Sequence, residues 1–137
     1  MDFDFFNIDS SEFDIETYIR MLIAIAKADK DNGPAEFNYV RKKALALGVD
    51  YDLFLETTDK DYQLTKKRVS RLTAFMILTD AIVLASMDRN FSLPERQRVY
   101  TYAQDLDIPR KDVDELESIV QGFRRLNRQW QSLVKAA

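Results

Sequence analysis

Apolar residues in this chain recur at three- and four-residue steps, the spacing of one helix face, and no stretch alternates singly as a half-buried strand does. After a phenylalanine-rich start, Asp14 is placed to cap a helix with apolar positions Ile15, Tyr18, Ile19, Leu22, Ile23 and Ala26, ending near Asp29–Asn32. Gly33-Pro34 restarts the chain, with proline where its missing N–H costs nothing. The second helix runs through Phe37, Val40, Ala44 and Leu47 and stops at Gly48. A short helix from Tyr51 to Thr57, capped by Asp50, comes next, and residues 58–66 form a polar connection. The stretch from about Arg68 to Met87 is apolar almost all round, which predicts the most buried helix. Ser92-Leu93-Pro94-Glu95 opens a helix through Val99, Tyr102, Ala103 and Leu106, and Ile108-Pro109 separates it from the last. There Val113, Leu116, Val120, Phe123, Asn127, Trp130 and Val134 trace a heptad-like seam with Asn127 its polar member. The pattern predicts an all-α protein.

The two halves of this pattern share an offset of 59 residues. Ile23, Ala26, Asp29, Glu36, Val40, Ala44 and Leu47 correspond to Ile82, Ala85, Asp88, Glu95, Val99, Ala103 and Leu106. A duplicated helix–corner–helix unit, each copy with one Asp and one Glu at its corner, accounts for this spacing.

Composition narrows the chemistry. The 137 residues suffice for one domain with a real core, and three Gly and three Pro are few for an all-β fold. Histidine and cysteine are both absent, which removes disulfides, thiolate and histidine-based catalysis, and the usual zinc sites. Any bound metal is then a hard cation held by oxygen, Ca²⁺ or Mg²⁺ foremost. A net charge of −3 gives no general attraction to nucleic acid, and no apolar run is long enough to span a bilayer. The start of the chain lacks the basic and apolar regions of a signal peptide, so a cytoplasmic location is expected.

The carboxylate pairs Asp29/Glu36 and Asp88/Glu95 are the candidate metal ligands, and each residue has a second reading. Glu36 and Glu95 sit at the third helical position, where a carboxylate caps the helix and meets the positive end of its dipole; Ser92 with Glu95 spells a capping box. Asp29 and Asp88 fall near helix C-termini, where a carboxylate is disfavoured by roughly 0.3–1 kcal/mol. Either a cation or the neighbouring Lys30 and Arg89 would compensate, and an Asp also turns the chain through local hydrogen bonds. An EF-hand is excluded. Its loop needs Gly sixth and Glu twelfth, whereas counting from Asp29 puts Gly33 fifth and Val40 twelfth.

The repeat resembles the TerB-like family of bacterial tellurite-resistance and stress proteins. The resemblance rests on Ala26-Lys27-Ala28-Asp29, Glu36 and Ala44-Leu45-Ala46-Leu47-Gly48-Val49 in the first copy. The second copy has Ala85-Ser86-Met87-Asp88, Glu95 and Ala103-Gln104-Asp105-Leu106-Asp107-Ile108. Lys30 and Arg89 stand where the family pattern has Gly. The resemblance implies a bundle of about seven helices over residues 14–122, with a tail at 1–13 and a C-terminal helix extension at 123–137. It further implies acidic residues that bind a divalent cation and serve interactions rather than catalysis. The setting it implies is a bacterial stress-response or membrane-associated complex, peripheral to the inner membrane through a protein partner.

Other positions carry expectations of their own. Asp80 is expected on an exposed polar edge of the central helix, and Lys66-Lys67-Arg68 with Arg71 and Arg124-Arg125 with Arg128 on solvated faces. Gly122 marks either a bend or a close helix contact. Phe3, Phe5 and Phe6 either fold back or dock on another molecule, and Trp130 either packs internally or anchors a dimer. No nucleophile, base and orienter occur together, so an enzyme is the weakest reading. The alternative to a cation-binding scaffold is a pure interaction module that dimerises through its last helix.

Overall fold

The computed structural model describes residues 12–28, 33–62, 69–87 and 91–136. Among these residues there are six helices and no strand: α1 (Ile15–Ala28), α2 (Pro34–Ala46), α3 (Tyr51–Thr57), α4 (Arg71–Ala85), α5 (Leu93–Asp105) and α6 (Arg110–Lys135). The all-α class is as the apolar spacing predicts, and the described residues hold six helices where the family resemblance implies about seven over the whole domain.

Two helices form the centre. α1 buries Tyr18, Ile19, Leu22, Ile23 and Ala26, and α4 buries Ala74, Ile77, Leu78, Ala81 and Ile82. α1 and α4 pack on each other; α2 and α3 cover α1, while α5 and α6 cover α4. Three covering helices contribute a narrow stripe, Val40 and Ala44 from α2, Val99 and Ala103 from α5, and Val113, Leu116 and Val120 from α6, and the short α3 adds Tyr51. That difference follows from composition, since an amphipathic helix has one face to bury and a helix apolar on all sides must be surrounded.

The helix starts are local chemistry. Asp14 Oδ1 accepts from the Thr17 N–H at 3.1 Å and Asp14 Oδ2 from the Thr17 hydroxyl at 2.7 Å, capping α1 as predicted. α4 begins at Arg71, later than the apolar pattern predicts, because Ser70 is its cap: Ser70 Oγ accepts from the Thr73 N–H at 3.1 Å and donates to the Glu12 carbonyl at 2.9 Å. Asp50 Oδ1 caps α3 by accepting from the Leu53 N–H at 3.2 Å.

The ends of α2 and α5 are built alike at the same offset of 59. The Val49 N–H donates to the Ala44 carbonyl at 2.9 Å, and the Ile108 N–H to the Ala103 carbonyl at 2.8 Å. Gly48 has φ +73 and Asp107 has φ +61. Glycine adopts this left-handed conformation freely; aspartate is among the few other residues that tolerate it.

Two basic side chains cap helix ends from outside. Lys27 Nζ donates to the Leu55 and Thr58 carbonyls at 2.5 and 2.6 Å, closing α3. Arg124 of α6 donates to the Ser86 and Val83 carbonyls at 3.2 and 3.3 Å, closing α4.

Candidate functional site

The corners come first, because they carry the sequence's metal candidates. Glu36 Oε2 accepts from the Gly33 N–H at 2.8 Å, and Glu95 Oε1 accepts from the Ser92 N–H at 3.4 Å and the Ser92 hydroxyl at 2.8 Å. Both glutamates therefore do capping work at the third residue of their helices, with Pro34 and Pro94 alongside. Asp29 and Asp88, together with Lys30 and Arg89, lie outside the described residues, as do Phe3, Phe5 and Phe6. Among the described residues no three acidic side chains gather as a cation site. The crevice that Glu95 shares with Ile25, Ala81, Arg98 and Tyr102 has about 20 Å³, room for a single water.

The polar centre of the molecule is elsewhere. Asp80, expected on an exposed edge, is 3% exposed in the middle of α4. The correction has a simple cause: α4 packs against α1, α5 and α6, and its middle from Ile77 to Ile82 is buried without a break, so Asp80 is enclosed with its neighbours. Tyr18 of α1 donates its hydroxyl to Asp80 Oδ2, and Tyr39 of α2 donates to Asp80 Oδ1. Both carboxyl oxygens are thereby satisfied, as a buried carboxyl requires. Burial pushes the Asp80 carboxyl above the ordinary carboxylate range, and the two tyrosine hydrogen bonds and the charge of Lys43 partly oppose it. Burial and the Asp80 charge push both tyrosine hydroxyls up as well, so they remain proton donors.

Tyr39 is half-buried and connects this centre to a groove. Its ring carries the Lys43 ammonium 5.4 Å from the centroid. With Val83, Val120, Phe123, Arg124 and Trp130 it lines an open groove of about 530 Å³ between α2, α4 and α6. Removal from water lowers the Arg124 pKa from its usual value.

Along α6 the groove gives way to bare helix. Residues 125–136 are all exposed, and Leu126, Trp130, Leu133 and Val134 are 61%, 65%, 76% and 62% exposed. Trp130 thus stands at the surface rather than in the core, and Asn127 is exposed beside it. Gly122 is no close contact: a Cβ there would meet only Arg125 Nη2, at 3.9 Å. Arg71 lies over the Phe75 ring at 4.5 Å and 3.7 Å from Asp112, while residues 66–68 fall outside the description.

The sequence pattern named Asp80 and Trp130, placed Asp80 on the wrong side of the helix surface, and of its two readings for Trp130 the internal one does not hold. Tyr18 reads as one more aromatic in the apolar stripe of α1, and Tyr39 lies off the α2 stripe of Phe37, Val40 and Ala44, so neither stands out as a partner for a carboxylate. The available signal was the carboxylate itself, since a charge inside an apolar helix needs donors nearby.

No family model, no curated protein and no solved structure matches this chain. No described helix is long and apolar enough to cross a membrane.

Proposed function

We propose that this chain is a non-catalytic scaffolding module of TerB-like architecture, made of two copies of a helix–corner–helix unit, and that it works by holding a partner at the end of α6. The observation that carries this reading is the row Leu126, Trp130, Leu133 and Val134, all more than half exposed on a helix that runs past the bundle. Burying such residues is favourable, and nothing in the described part of the chain buries them. The matched corner hydrogen bonds at Val49 and Ile108 support the duplication. The setting that goes with this architecture is the bacterial cytoplasm, within a stress-response complex.

The test is removal of residues 125–137. The shortened chain is expected to unfold cooperatively with a melting temperature within a few degrees of the full chain, because it loses only exposed side chains. Loss of the fold would make the segment part of the core and end the reading.

A second reading places Ca²⁺ or Mg²⁺ at the corners, on Asp29 with Glu36 and Asp88 with Glu95. What favours it is the equivalent placement of Glu36 and Glu95 at the third residue of α2 and α5. A cation that binds only the folded state raises its melting temperature, and the Asp29→Asn, Asp88→Asn double variant should abolish that rise. A rise that persists in the double variant would rule the assignment out. In the remaining alternative the α6 ends of two copies pair and no metal binds; sedimentation of the full and shortened chains tells these apart.

A further inference from the structure

The partner of the α6 end can be given a chemistry. Residues 118–136 contain Arg124, Arg125, Arg128 and Lys135 and no acidic residue. The whole chain has 20 basic and 23 acidic residues, so residues 1–117 carry 16 against 23, a net −7. The positive charge is therefore concentrated where the apolar side chains are bare. At about 100° per residue, Leu126, Trp130, Leu133 and Val134 fall within an arc of roughly 100°, and Arg125, Arg128 and Lys135 occupy the opposite side. Ser132 shares the basic side, and Asn127, Gln129 and Gln131 fill the flanks. Tryptophan and leucine on one face with only basic charge on the other is the composition of a helix that lies in a membrane interface.

We propose that residues 125–136 of α6 are an interfacial anchor that lays Leu126, Trp130, Leu133 and Val134 into an anionic lipid surface. This rests on the reading of the α6 end as a contact surface and names what it contacts. A helix is about 10 Å across and its apolar face sinks roughly 5–10 Å into the headgroup boundary, so cations on its far face come within the ~8 Å Debye length of the anionic headgroups at physiological salt. A second copy fits less well. The exposed stripe is short, and a stable dimer buries about 800 Å² on each partner, so a second copy would have to draw on surface well beyond it. Lipid needs no complementary shape and accepts a short stripe.

Trp130 is the chain's single tryptophan and reports directly on its own surroundings. The intact protein is titrated with vesicles of phosphatidylcholine alone and of phosphatidylcholine mixed with phosphatidylglycerol, following Trp130 emission and co-sedimentation. With phosphatidylglycerol the emission should move to shorter wavelength and the protein should sediment with the vesicles; high salt should reverse both. The Arg125→Glu, Arg128→Glu double variant should bind about tenfold more weakly or worse, as should Leu126→Ser with Leu133→Ser. All four positions are exposed, so circular dichroism should be unchanged. Absence of a phosphatidylglycerol-dependent shift, or binding indifferent to charge reversal, overturns the proposal. An emission shift that follows protein concentration without vesicles assigns the stripe to a second copy. That result overturns the lipid proposal and leaves the contact-surface reading standing, whereas unfolding of the shortened chain removes both.

Discussion

Asp80 and Trp130 both invert the usual arrangement of a folded chain, a carboxyl group 3% exposed in the interior and an indole 65% exposed at the surface. The two are explained from opposite directions. Asp80 has its partners inside the molecule, Tyr18 and Tyr39, one for each oxygen. Trp130 has only solvent on most of its surface. A buried polar group with full hydrogen bonding is an account of folding. An exposed aromatic on a helix that outruns its bundle has no such account within the described residues, and the proposed contact with a second surface would supply one.

Substitutions at the two sites should therefore separate stability from binding. Asp80→Ala strips the buried Tyr18 hydroxyl and the half-buried Tyr39 hydroxyl of their acceptor and should cost about 2–5 kcal/mol in urea unfolding; a loss under about 1 kcal/mol would mean that the tyrosines find other partners. The pH dependence is also set here. Because the folded carboxyl titrates above its unfolded value, the fold favours neutral Asp80. Its contribution is fully present at acid pH and is lost as pH rises from about 4 through the raised folded value. Asp80→Asn should flatten that limb of the stability profile, and an unchanged limb would assign it to other carboxylates.

Arg124 stands between the two regions, and Arg124→Met should lower stability by about 1–2 kcal/mol, as the Ser86 and Val83 carbonyls lose a charged donor. Thermal melts of the variant and the parent measure it. Trp130→Ala should change stability by no more than about 0.5 kcal/mol, whereas truncating a core tryptophan costs roughly 3–5 kcal/mol. A core-sized loss there would erase the contrast.

What could be read from residues alone follows the same division. The caps at Asp14, Asp50 and Ser92, the stop at Gly48 and the break at Pro109 depend on neighbours within a few positions, and the structure has them as expected. The buried faces of α2 and α5 follow from helical spacing. Asp80 did not, because a helix without a polar face offers no edge to read, and its partners lie 62 and 41 residues away. The spacing through Val113, Leu116, Val120 and Trp130 describes one face of α6 and says nothing of where the opposing surface ends. That surface ends near Arg124, and the seam continues without it. Asp107 is a quieter case: nothing in its own neighbourhood demands a left-handed residue, and only its alignment with Gly48 points there.

The Tyr18–Asp80 bond has a geometric consequence for the pairing of α1 and α4. Leucine and isoleucine surfaces slide past each other with modest penalty, so two smooth apolar helices define their axial alignment loosely. A displacement by a single turn, about 5.4 Å, would carry the hydroxyl out of reach and strand a carboxyl among hydrocarbon. Tyr39 adds a second tether from α2. One acidic side chain thus acts as a detent, clicking three helices into a single setting that oily contacts alone would leave adjustable.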